Sequence, residues 1–96
     1  VKVLHLTLKK KWFDLIASGV KKEEYREMKD YWHKRLSDKT YDVIQFRNGY
    51  NPDSPVVVVE WVGITYGFGF QEWGAPEDYP VYIIKLGEII RQKEYS

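Results

Sequence analysis

Four consecutive valines, Val56–Val59, open a run that continues through Glu60-Trp61-Val62-Gly63-Ile64-Thr65-Tyr66. β-Branched and aromatic residues dominate it, and a strand that is apolar at successive positions needs cover on both faces. The run therefore predicts a buried strand over 56–66. Glu60 shares a row with Val58 and Val62, so it is expected to face inward beside a cation, with Lys21 or Arg26 as candidates.

Weaker strand signals stand around this one. Val3-Leu4-His5-Leu6 is a short apolar candidate in which His5 is expected to be partly buried and satisfied. Tyr41–Phe46 reads as a second strand, bounded by Ser37-Asp38-Lys39 and Asn48-Gly49. Val81–Leu86 reads as the last, followed by a polar-ended tail over 87–96. Helical spacing appears once near the start, where Leu8, Trp12, Leu15 and Ile16 share one face. Thr7 is the expected cap of that helix, and Gly19 its left-handed stop. No β–α alternation recurs, which predicts a single α+β domain over 1–96, with a small twisted sheet or barrel and two short helices.

The 96-residue length suits one compact core. At 44% hydrophobic and 30% charged residues, the composition is that of a folded soluble chain. No apolar run approaches the roughly 20 residues of a membrane span, and the first residues do not read as a signal peptide. With no cysteine and only two histidines at no metal-ligand spacing, neither a metal nor a cofactor is expected. A cytoplasmic location is the default expectation. The net charge of +1 hides an asymmetry: residues 1–40 hold 11 Lys/Arg against 6 Asp/Glu, and residues 41–96 hold 4 against 8. Such a chain will not coat nucleic acid indiscriminately, although a basic face on its first half would attract phosphates. Lys9, Lys10 and Lys11 at the start of the helix fit a solvated surface run or a phosphate site at the helix amides.

The densest charge lies in Gly19-Val20-Lys21-Lys22-Glu23-Glu24-Tyr25-Arg26-Glu27-Met28. Tyr25, Met28, Trp32 and Leu36 are spaced for one helix over 21–36. Against this, Lys22/Arg26 and Glu23/Glu27 would be like-charge i,i+4 pairs, and Asp30 can cap a shorter helix, Tyr31–Leu36. Periodicity leaves both readings open.

The segment Lys11–Arg26 resembles the signature of the ASCH domain family, related to the PUA-like barrels: a helix followed by Gly-x-Lys-x-x-Glu-x-Arg. Gly19, Lys21, Glu24 and Arg26 fill the four positions. The likeness extends through Tyr31-Trp32, Arg35-Leu36, Tyr41–Ile44 and Tyr82–Leu86, and the chain looks like one of the small stand-alone members found in bacteria and their phages. It implies a β-barrel of five or six strands with helices around a cleft, and it favours a strand followed by a short helix over 21–36. The motif residues would line the cleft and bind RNA or a nucleic-acid-derived ligand. In a strand, Glu24 and Arg26 share a face, whereas Lys21 joins them only if the turn after Gly19 reorients it. Arg26 would then hold Glu24 or a phosphate, and Lys21, desolvated by Trp12 or Tyr25, would have a lowered pKa.

Three functions follow from the resemblance. The first is an RNA- or nucleotide-binding cleft using Lys21, Glu24 and Arg26, with Lys11, Arg47 and Tyr50 as further contacts. Arg47 and Tyr50 flank a tight turn suited to stacking and phosphate contact, although a plain hairpin turn explains them too. The second is a hydrolase, either a ribonuclease or an N4-acetylcytidine amidohydrolase, with Lys21 and Glu24 catalytic. Glu24 stands where the amidohydrolases carry a threonine, which counts against that chemistry. The third is a protein-interaction module of a transcription or translation regulator, using an exposed patch such as the aromatics of residues 67–80.

Overall fold

The computed structural model describes residues 1–93. The chain runs β1 (Val3–Leu8), α1 (Lys10–Ala17), β2 (Glu23–Glu27), α2 (Asp30–Leu36), β3 (Val43–Asn48), β4 (Val56–Gly67), a single 3-10 turn (Gln71–Trp73) and β5 (Val81–Lys93). The five strands form one curled mixed sheet in the order β1-β3-β4-β5-β2. Among the described residues only β1 and β3 pair in parallel; the other pairings are antiparallel. The expected α+β class with two short helices is therefore present. The sheet does not close between β1 and β2, its two edges.

Val56–Val59 behave as their composition requires. All four are buried, with Val57 and Val59 in the main core beside Ile44, Phe46 and Ile84. Phe13 and Ile16 of α1 and Leu36 of α2 join that core. A second, smaller cluster of Tyr25, Ala75, Val81 and Ile83 lies under the segment that follows β4. Opposite residues of an antiparallel pair share a face, so Glu24 and Arg26, paired with Ile84 and Tyr82, face the main core. Their neighbour Tyr25 faces the second cluster.

The charged segment forms strand then helix rather than one helix over 21–36. Helix α1 ends at Ala17; Gly19 N–H bonds to Ile16 O, and the φ of +83° at Gly19 turns the chain so that Val20 N–H reaches Leu15 O. Lys21 N–H also donates to Leu15 O at 2.9 Å, so Lys21 still belongs to the helix exit when β2 begins two residues later.

Several local expectations are corrected. Thr7 does not cap α1: it lies in β1, and Lys9 holds the cap position without a side-chain bond. Lys29 rather than Asp30 precedes α2, again uncapped by a side chain. His5 is exposed, because strand alternation puts Leu4 and Leu6 in the core and His5 on the other side. Glu60 is also exposed and meets neither Lys21 nor Arg26. Irregularities between Val58 and Gly63 break the strict alternation that would have turned it inward. The last strand does not stop at Leu86. Gly87 lies where an added Cβ would come within 2.5 Å of Glu60 Oε1, and the ladder runs past it to Lys93. The rest of the expected tail, 94–96, lies outside the described residues.

Candidate functional site

Lys21, Glu24 and Arg26 meet at Glu24. The Lys21 Nζ lies 2.9 Å from Glu24 Oε1, and Arg26 Nη1 donates to Oε2. Arg26 is itself fixed by donating to Tyr25 O at 2.8 Å and, across the open seam, to Thr7 O at 3.3 Å. Its guanidinium lies 5.2 Å from the centre of the Trp32 ring, a cation–π contact that links β2 to α2.

Lys21 reaches Glu24 from behind. Its ammonium is caged by the rings of Trp12 and Tyr25, at 4.8 and 5.1 Å, and donates to the carbonyl of Trp73. The side chain is 1% exposed, and burial pulls its pKa below the ordinary lysine value while the Glu24 carboxylate opposes that shift. Gly19 thus supplies the reorientation on which the site depends.

A cavity of about 420 Å³ opens in the seam between β1 and β2. Strand β1 and the start of α1 contribute His5, Thr7, Lys9 and Trp12, β2 contributes Glu24 and Arg26, α2 contributes Tyr31 and Trp32, and the β3–β4 turn contributes Tyr50. Glu24, with a side chain only 4% exposed, forms the floor, and Tyr50, 91% exposed, stands at the rim. Lys21 is not on the wall. Among the described residues that line it, two cationic side chains, Lys9 and Arg26, stand against one carboxylate, Glu24. The interior thus favours a ligand with an anionic group, and the aromatic walls favour a flat one.

The remaining candidates divide. Lys11 is exposed and sits 4.7 Å over the Trp12 ring, next to the cavity without lining it. Arg47 turns away and donates to Pro52 O at 3.0 Å and Ser54 O at 3.4 Å, bracing the turn that presents Tyr50. Of the lysine run 9–11, offered by the sequence as a surface run or a phosphate site, Lys9 lines the cavity, whereas nothing in the sequence marks His5, Thr7, Tyr31 or Trp32 as ligand contacts. Thr7 has the signature of a helix cap but belongs to β1, which runs on to Leu8, and strand alternation turns His5 and Thr7 to the side opposite Leu4, Leu6 and Leu8.

A second polar cluster braces the opposite face of β2. Tyr25 OH donates to Glu23 Oε1 at 2.8 Å and accepts from Phe70 N–H at 3.0 Å, while Lys85 Nζ lies 2.6 Å from Glu23 Oε2. Burial pushes the Tyr25 hydroxyl well above its ordinary pKa. The aromatics after β4 have mixed roles: Trp73 packs against the second cluster, while Tyr66, Phe68 and Phe70 remain exposed. None of the described helices is long and apolar enough to cross a membrane. No family model, characterised protein or solved structure matches the chain.

Proposed function

We propose that the chain is an ASCH-type domain of PUA-like descent whose seam cavity holds one nucleotide unit of an RNA. The observation that carries this reading is the chemistry gathered in one space: a carboxylate–arginine floor, tryptophans on two sides and a lysine at the mouth. A base would lie between Trp12 and Trp32. Its phosphate would meet Lys9 and the free amides of the first turn of α1, where the helix dipole also favours an anion. Tyr50 would stack on a neighbouring base. The Gly-x-Lys-x-x-Glu-x-Arg resemblance supports the same reading.

Titration with a short single-stranded RNA, followed by tryptophan fluorescence at low and moderate salt, tests it. The expected result is quenching with an affinity that falls steeply as salt rises. Absence of any salt-sensitive binding would overturn it.

One observation favours a hydrolase as the second reading: the buried Lys21 with its lowered pKa touches a carboxylate that faces the cavity. Glu24 would act on the substrate, with Lys21 tuning it from behind. Incubation with N4-acetylcytidine and with labelled RNA tests this reading, and turnover unchanged by Glu24→Gln would exclude it.

A further inference from the structure

Glu24 and Arg26 present an acceptor and a donor side by side at the bottom of the cavity, and their unused hydrogen-bonding capacity can be counted. An ionised carboxylate offers about four acceptor positions. Lys21 occupies one on Oε1 and Arg26 one on Oε2, which leaves about two. Among the described residues lining the cavity, Glu24 is the only carboxylate. Arg26 has five N–H donors. Both N–H groups of Nη1 go to Glu24 and Tyr25 O and one of Nη2 goes to Thr7 O, which leaves the second Nη2 N–H and the Nε–H unused.

We propose that this pair reads the Watson–Crick edge of guanine, so that the cavity selects guanine nucleotides. The inference rests on the nucleotide reading above and adds the identity of the base. Guanine presents an acceptor, O6, next to two adjacent donors, N1–H and N2–H₂. Arg26 supplies the donor for O6, and the open acceptor positions of Glu24 take both N–H groups. Adenine and cytosine each present a single amino donor followed by an acceptor, which leaves part of Glu24 unmatched. Uracil is poorest, because its N3–H lies between two carbonyls and one of them must confront the carboxylate. A site whose buried polar groups are built to be hydrogen-bonded rejects ligands that leave them unpaired. The base is accessible to such readout in single-stranded RNA, where its edge is not already paired.

The test is titration of the wild-type protein with GMP, IMP, AMP, CMP and UMP at one low salt concentration, followed by tryptophan fluorescence and calorimetry. GMP is expected to bind at least about tenfold more tightly than UMP. IMP, which lacks only the N2 amino group, is expected to bind several-fold more weakly than GMP. Glu24→Gln, checked for folding by circular dichroism, is expected to lose the preference for GMP over IMP. Binding of all five with similar affinity, or equal affinity for GMP and IMP, overturns the guanine assignment and leaves nucleotide binding standing. Failure of every nucleotide, and of single-stranded RNA, overturns both.

Discussion

Lys21 and Glu24 form an ion pair that solvent does not reach: Nζ and Oε1 are 2.9 Å apart, and the side chains are 1% and 4% exposed. The carboxylate also binds Arg26, so it is the shared counter-ion of two cations. Removing it leaves both without that counter-ion, each held only by backbone carbonyls and aromatic rings. Glu24→Ala is therefore expected to destabilise the fold by about 3–5 kcal/mol, because an uncompensated buried charge costs far more than the pair itself contributes. Lys21→Met should cost less, since Glu24 keeps Arg26. Urea denaturation checks the order, and a loss below about 1 kcal/mol for Glu24→Ala would contradict the shared-counter-ion geometry.

The two shifted groups act in opposite directions at alkaline pH. Lys21 has a lowered pKa in the folded chain, so between that value and its ordinary 10.5 the unfolded chain holds more protons. Its contribution to stability therefore rises with pH in that window and falls again as pH drops through the folded value. Tyr25 is raised above its ordinary 10.0; its contribution is present below pH 10 and is lost as pH climbs beyond it. Each proton changes stability by at most about 1.4 kcal/mol per pH unit. Comparing wild type with Lys21→Met and Tyr25→Phe from pH 8 to 11 should give difference slopes of opposite sign.

Gly69 allows the segment after β4 to close on Tyr25. A Cβ there would lie 2.5 Å from Cζ of the Tyr25 ring, and the ring is held by Glu23 and by the amide of Phe70. It cannot move aside without breaking those bonds. Gly69→Ala should cost about 1–3 kcal/mol, the usual penalty of overpacking. The loss should show in thermal unfolding, and an unchanged Tm would mean that the segment is not seated as described.

Arg26 both closes the seam and serves the proposed ligand. Arg26→Lys keeps the charge but loses the planar contact with Trp32 and the fork that spans Glu24, Tyr25 O and Thr7 O. RNA affinity is expected to fall by about tenfold or more while the salt dependence changes little. Lys9→Ala should do the reverse, weakening binding modestly and lowering the salt slope by about one.

The residue types say a good deal about this architecture. Val56–Val59 identify the buried strand, Gly19 the end of α1, and the two-residue spacing of Glu24 and Arg26 their common face. What could not be read depends on backbone irregularity or on distant partners. Lys21 points at Glu24 because its amide still bonds to Leu15 O, a detail of one turn. Glu60 turns outward because bulges shift the register of β4 against β5. Gly87 reads as the first residue of a polar-ended tail, yet it sits inside a ladder where Glu60 leaves no room for a side chain. The cavity itself is built from two strands that do not pair, and sequence periodicity carries no trace of that gap.

The central claim, that a nucleotide enters the seam between β1 and β2, can be tested with the chain's four tryptophans. Trp12 and Trp32 line the cavity, whereas Trp61 packs against Tyr41 away from it, with ring centres 5.1 Å apart. In a proton–nitrogen NMR titration with GMP or a short single-stranded RNA, the indole N–H signals of Trp12 and Trp32 should shift together while that of Trp61 stays fixed. Saturable shifts that leave Trp12 and Trp32 unmoved, or no shifts at all, would contradict the account.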